Sequence, residues 1–273
     1  MAPCPQPPFE AELTEILLCK NELHETLNNL CHWMKDKHVE RNMATRLDSA
    51  FIRKDPYGVV LVMGPWCCPI NLLLGPLIGA IAAGNCVVIK PSEMTKNVEK
   101  LMAKALPSYL DRDCFAVVTA GVQETTRLLE NKFDYIFFTG MSHGPEQSPA
   151  WVCPLEVQEK LLPALQKVIT EFYGSNPRES PDFGRIVDEK EFQRLQMLLR
   201  SGRVAIGGQM DEKDLYIAPT VLVDVQPSDP IMQDTILGPI LPIVNVANMD
   251  EAIDFINSRE RPLAVYVFSS DDK

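Results

Sequence analysis

The stretch DPYGVVLVMGPWCCPINLLLGPLIGAIAAGNCVVIKPSE, residues 55–93, decides the fold. It opens on a turn signal, Asp55-Pro56-Tyr57-Gly58. Val59 to Met63 follows as a short β-branched-rich run, ended by Gly64-Pro65-Trp66. Leu72 to Ala83 reads as a buried helix, and Gly84-Asn85 supplies its C-terminal stop. Cys86 to Ile89 is the next strand. No charge falls between Gly58 and Ile89, and a run of that length could span a bilayer. Gly64, Pro65, Pro69, Gly75, Pro76, Gly79 and Gly84 interrupt it, however, and Asn71 and Asn85 add polar groups that lipid penalises. The better parse is strand, turn, packed helix, strand.

Downstream the alternation continues. The pattern predicts a helix over Thr95–Leu106, a strand over Cys114–Thr119, a helix over Gln123–Asn131 and a strand over Tyr135–Phe138. Strands alternating with helices argue for βαβ units and an α/β fold with a parallel sheet. Such sheets bind ligands beyond the carboxyl ends of their strands. The loops there are Gly64–Pro69, Lys90–Glu93, Ala120–Gln123 and Thr139–Gly144. Upstream, residues 11–46 are expected to be helical, from the spacing of Leu13, Ile16, Leu17, Leu23, Leu27, Leu30 and Met34. Met141 to Ala150 is polar and Pro/Gly-rich, and reads as a linker or disordered junction. Beyond it come helices at Leu155–Phe172, Glu189–Arg200 and Asp250–Ser258. Strands are expected at Val204–Ile206, Thr220–Val225, Ile240–Val246 and Ala264–Phe268.

The 273 residues are 46% hydrophobic and 23% charged, a globular composition with enough apolar surface for a core. A net charge of -11 repels a phosphate backbone and, on average, an anionic membrane surface, so nucleic acid is not an expected partner. Eight cysteines at irregular spacing contain no CxxC pair, and four histidines complete no zinc pattern, so no metal is expected. Met1 to Pro8 lacks the features of a secretory signal. Free thiols in a reducing cytoplasm are the expectation.

The Lys90-Pro91-Ser92-Glu93 loop is the first place where chemistry can sit. A lysine at the end of a buried parallel strand offers three donors to hydroxyls or phosphate. A glutamate three residues on can accept from a ribose hydroxyl. On spacing alone, a surface ion pair explains the two residues better. GxGxxG and GxxxxGK[ST] are both absent.

The motifs DPYGVVLVMGPW, LIGAIAAGNCVVIKPSE, NVEK and DYIFFTG, between Asp55 and Gly140, resemble the cofactor domain of family-3 aldehyde dehydrogenases, in particular their B-type branch. From about Glu156 to Phe268, VQEKLLPALQ, GRVAIGGQ, YIAPTVLVDV, GPILPIVNV, DEAIDFIN and RPLAVYVFS resemble the catalytic domain of the same family. The resemblance implies an incomplete aldehyde-dehydrogenase-like fold, with a Rossmann-type parallel sheet and a partial catalytic domain. It implies an N-terminal helical segment at 1–50, an NAD(P)-binding half at 51–140, a junction at 141–152 and the partial catalytic domain at 153–273. The family oxidises aldehydes to acids with NAD or NADP. A cysteine thiolate attacks, an asparagine amide and a backbone N–H hold the oxyanion, and a glutamate activates water.

The resemblance maps cofactor contacts onto Lys90, Ser92, Glu93, Trp66, Gly121 and Gly140, and no catalytic residue onto this chain. The family's ELGGK-type and GQTC-type motifs lie between the FTG strand and the VQEKLL-like helix. Only eleven residues separate Gly140 from Val152 here, and neither motif occurs. Anchored on VQEKLL, Cys153 matches a structural cysteine and not the nucleophile. Cys67-Cys68 stands where the family has its oxyanion asparagine after Pro-Trp. A thiol is too weak a donor to replace an amide. Near a helix N-terminus such a pair can become reactive, although drift explains it better. Thr235 replaces the glutamate that grips the nicotinamide ribose in the family's E-I-F-G-P motif. Gly140 runs into Met141-Ser142-His143-Gly144, which blurs the register of a family glycine turn; His143 reads as merely solvated. The chain's last residues, Asp271-Asp272-Lys273, carry no prenylation signal, so no lipid anchor is expected. NAD or NADP affinity is therefore expected to be weak or lost. The rival expectation is a non-catalytic protein that binds a nucleotide or pairs with an intact family member.

Overall fold

Gly58 to Ile89 folds as strand, turn, helix and strand because its apolar runs are too short and too broken for anything longer. The computed structural model describes residues 6–39, 49–140, 150–259, 262 and 264–269. Strand β1 (Val59–Met63) leads through a turn to helix α1 (Asn71–Ala82), and β2 (Cys86–Lys90) follows. Helix α1 ends in a Schellman closure, with Gly84 N–H donating to Ile81 O at 2.9 Å and Asn85 N–H to Ala80 O at 3.1 Å. Gly84 supplies the positive φ, +84°, that this closure needs. The buried Asn85 side chain donates to Ala80 O at 3.0 Å and accepts from Gly58 N–H at 3.1 Å, tying the helix end to the turn before β1.

Helix α2 (Lys96–Ala105), β3 (Phe115–Val117), α3 (Val122–Leu129) and β4 (Tyr135–Phe138) complete the first unit, Phe9–Met141. Its sheet is wholly parallel, in the order β3-β2-β1-β4. The register sets Val59 beside Cys86, Met63 beside Lys90 and Val60 beside Tyr135. Strand β1 lies between two neighbours and reads as nearly continuous apolar sequence, as a strand covered on both faces does. Val60, Val62, Val87 and Ile89 pack with Leu73, Leu77 and Met102 in one core cluster. Strand β4 differs: Tyr135, Ile136, Phe137 and Phe138 are 41–60% exposed, and no described strand pairs with its outer edge.

The other unit contains Ser142–Lys273. Its sheet runs β5 (Trp151–Cys153), β8 (Ile240–Asn245), β7 (Thr220–Val223) and β6 (Arg203–Ile206) in spatial order. Only the β6–β7 pairing is antiparallel. Helix α4 (Leu155–Tyr173) packs on one apolar cluster through Leu161, Leu162, Leu165 and Ile169. Helix α5 (Glu189–Leu198) buries Phe192, Leu195 and Leu198 in a second cluster. It is capped by Asp188, whose side chain accepts from Glu191 N–H at 2.8 Å. Helix α6 (Met249–Asn257) is capped in the same way by Asn248.

Three expectations need correction. The N-terminal helix does not continue to residue 46: its last segment, Leu17–Trp33, ends where the apolar spacing stops, and Lys37–His38 pairs antiparallel with Phe51–Ile52. Residues 40–48 lie outside the described residues. The strand expected over Ala264–Phe268 is irregular, because no described strand lies beside it to complete a ladder. Its β-prone side chains Val265 to Phe268 stay 54–80% exposed, although the Phe268 ring stacks on Trp151 at 5.5 Å. Finally, Trp151–Cys153 is a strand, paired parallel with Ile243–Asn245, where the sequence suggested the tail of a linker. Met141–Gly144 and the rest of the junction up to residue 149 lie outside the described residues.

Candidate functional site

Strand order β3-β2-β1-β4 reverses direction at β1, and the carboxyl ends of these strands carry the candidate residues. Backbone hydrogen bonds gather three of the four loops. Gly64 N–H donates to Lys90 O at 3.1 Å, and Thr139 N–H donates to Met63 O at 3.1 Å. The Gly64-Pro65-Trp66 turn, the Lys90–Glu93 loop and Thr139-Gly140 thus leave adjoining strand ends. The fourth loop sits one strand further out, where Val118 N–H donates to Ile89 O at 2.9 Å.

Lys90 is 5% exposed, an unusual position for a lysine without a partner. Its Nζ lies 2.5 Å from Glu93 Oε2. Burial pushes the Glu93 carboxyl upward, but the Lys90 hydrogen bond, a backbone hydrogen bond and the Lys90 charge outweigh it and hold the carboxyl below the ordinary glutamate value. An ammonium has three donors. Among the described residues only Glu93 takes one of them, so the others are available to a ligand. Ser92 is buried but engaged in the turn: its Oγ accepts from Met94 N–H at 3.3 Å, and its carbonyl accepts from Thr95 Oγ1 at 3.2 Å.

Gly121 is the N-cap of α3, and its carbonyl accepts from Thr125 Oγ1 at 2.7 Å. Gly140 lies under the Phe138 ring, where an added Cβ would meet Phe138 Cζ at 2.2 Å. Trp66 is half-buried in the turn before α1.

Sequence reasoning missed Glu15. This residue is 1% exposed, and its Oε2 accepts from Ile70 N–H at 2.9 Å and Asn71 N–H at 2.7 Å. A carboxylate therefore caps the N-terminus of α1, directly after the Trp66–Pro69 loop. Cys68 sits beside it. Burial first, then the Glu15 charge and contacts with Glu15 and Cys67, push the Cys68 thiol up to about 11. A thiol so placed is the opposite of an activated nucleophile. Cys153 is buried in β5, and burial raises its pKa as well.

In the unit containing Ser142–Lys273, Arg194 donates to the carbonyls of Thr235 and Ile236 at 2.9 and 2.7 Å, fixing the Thr235–Pro239 turn through its backbone. A cavity of about 390 Å³ in that unit, lined by Gln166, Asn176, Arg178, Asp211 and Tyr216 among others, contains none of the candidate residues. Its charged groups already pair internally, Arg178 with Asp211 at 2.6 Å and with Asp214 at 3.2 Å. Among the described residues no group of three or more His, Cys, Asp or Glu side chains could hold a metal ion, and no helix is long and apolar enough to cross a membrane.

Comparison with known proteins identifies the family. The profile of the aldehyde dehydrogenase family matches residues 10–144 and 149–273. Aldehyde dehydrogenase family 3 member B1 of Bos taurus is 52% identical over 316 residues, covering 97% of this chain and 68% of the relative. The Homo sapiens protein of the same name is 50% identical with the same coverage. The 316 residues exceed the chain's 273 by 43, so at least that many positions of the relative have no counterpart here. The chain spans about two thirds of these relatives. Among solved structures, the substrate-bound state of Staphylococcus aureus AldH superposes with a TM-score of 0.93 at 33% identity, covering 98% of this chain and 70% of that one. A Mycobacterium tuberculosis aldehyde dehydrogenase complexed with NAD+ shares the fold, with a TM-score of 0.74 at 19% identity over 93% of this chain and 64% of that one. This chain belongs to the aldehyde dehydrogenase family.

Proposed function

We propose that the chain is a non-catalytic family member that retains a weak grip on the adenosine half of NAD or NADP. The observation that carries this reading is the Lys90–Glu93 pair at the end of β2. A vicinal diol fits it, since one hydroxyl can accept from the spare Lys90 donors while the other donates to Glu93. In the family's reaction the bound nicotinamide accepts a hydride. The Lys90–Glu93 pair can orient the sugar, and in the sequence Thr235 stands where the family has the glutamate that grips the nicotinamide ribose.

Attack on an aldehyde is not expected of this chain. The family's nucleophile and base motifs are absent from the sequence. Where a cysteine pKa shift is resolved, at Cys19, Cys68, Cys114 and Cys153, it is upward. Replacing the oxyanion asparagine by a thiol would alone lower the rate by roughly a hundred- to a thousand-fold. Production of NADH or NADPH from aliphatic and aromatic aldehydes should therefore stay at background. Steady turnover that survives substitution of Cys67, Cys68 and Cys153 would overturn this reading. Turnover abolished by Cys67→Ala would assign that thiol as the nucleophile.

The outer edge of β4, which no described strand pairs, favours a second reading, in which the chain pairs with an intact family member. Co-expression with such a member followed by light scattering of the purified species tests it; separate elution of the two chains rejects it. The reducing cytoplasm suits the seven described free cysteines.

A further inference from the structure

Cys86 opens β2, and Cys114 immediately precedes β3. The register aligns Val87 with Phe115, which sets Cys86 beside Cys114 one step earlier along the two parallel strands. Val87 N–H donates to Cys114 O at 2.9 Å, closing the ladder at that step. Alternation puts Val87, Ile89, Phe115 and Val117 into the core on one face, so the two thiols share the other face. Both residues are half-buried, and solvent can reach them. Neighbouring strands are about 4.8 Å apart, within the roughly 4.4–6.8 Å between Cα atoms that a disulfide bridges. The turn before Cys114, in which its N–H donates to Asp111 O at 3.2 Å, holds the thiol in place.

We infer that Cys86 and Cys114 form an oxidisable dithiol that closes to an intramolecular disulfide joining β2 to β3. The oxidant is a hydroperoxide. One thiol, as its thiolate, attacks the peroxide oxygen and becomes a sulfenic acid, releasing water or an alcohol. The second sulfur then attacks the first, the S–S bond forms and water leaves. Two S–H bonds are lost, and the peroxide is reduced by two electrons. The neighbouring Cys86 thiol first, then partial burial and the nearby Asp111 and Asp113, push the Cys114 thiol up, so oxidation is slow and quickens with rising pH. The pair lies at the opposite end of β2 from Lys90, about 13 Å along the strand. It is therefore separate from the proposed nucleotide site.

Peptide mapping after hydrogen peroxide treatment and alkylation tests the inference. Tryptic cleavage leaves Cys67, Cys68 and Cys86 on one peptide, so the experiment uses the Cys67→Ser/Cys68→Ser variant. The expected result is a peptide joining Cys86 to Cys114, two hydrogens lighter than the separate thiols and restored by dithiothreitol. Cys114→Ser should abolish it. If the double variant fails to fold, the unsubstituted chain is mapped with a protease that cuts after large apolar residues, which separates Cys86 from Cys67 and Cys68. Alkylation of both Cys86 and Cys114 after peroxide, or oxidation of either to a sulfinic acid without cross-linking, would overturn the inference.

Discussion

Lys90 and Glu93 hold each other at a strand end, and the pair fixes a pH dependence. Burial raises the Glu93 pKa, but the Lys90 hydrogen bond, a backbone hydrogen bond and the Lys90 charge together bring it below the ordinary 4.5. A folded-state pKa below the unfolded one gives a contribution that is present above the unfolded value and lost as pH falls through the folded value. AMP binding, followed by calorimetry, should hold from neutral pH down to that range and fall below it, and Glu93→Gln should remove the acid limb. Cys68 has the opposite sign. With its pKa pushed up to about 11, its labelling by iodoacetamide should rise about tenfold per pH unit through the alkaline range. The exposed Cys67 should label first at neutral pH, and rapid labelling of Cys68 there would contradict the assigned environment. Lys90 and Glu93 were legible because they are three residues apart in one loop. Glu15 was not, because its partners lie 55 and 56 residues away and only the packed helix brings them together.

At the scale of elements, the tightest constraint falls on the turn after β6. Gly207 has φ +77°, and an added Cβ would sit 2.0 Å from the Pro219 carbonyl oxygen. Gly207→Ala should cost at least about 1–3 kcal/mol from backbone conformation alone, read as a lower denaturation midpoint. Strand β4 carries a different liability. Its uncharged, exposed Tyr135-Ile136-Phe137-Phe138 edge is a template for strand addition. Ile136→Lys should raise the concentration at which the protein stays monodisperse in light scattering, and unchanged self-association would acquit this edge. Strands β1, β2 and β4 were legible because short apolar runs sit between turn residues. The Trp151–Cys153 strand was hidden beside a polar junction, and the apolar run at Ala264–Phe268 misled because a strand needs a neighbour that local sequence does not specify.

Taken as a molecule, the chain keeps the two α/β sheets expected of its family and lacks at least 43 positions of its relatives. That gap was legible in the eleven residues between Gly140 and Val152, and the family match breaks at 145–148. The reading proposed above is a nucleotide-facing strand end without a nucleophile, and its central claim is binding without chemistry. Titration calorimetry with AMP and with NAD, on the unsubstituted chain and on Lys90→Ala, tests it most directly. The account predicts weak binding of similar strength for the two ligands, lost together in Lys90→Ala. A clear preference for NAD over AMP that is unaffected by Lys90→Ala would contradict it.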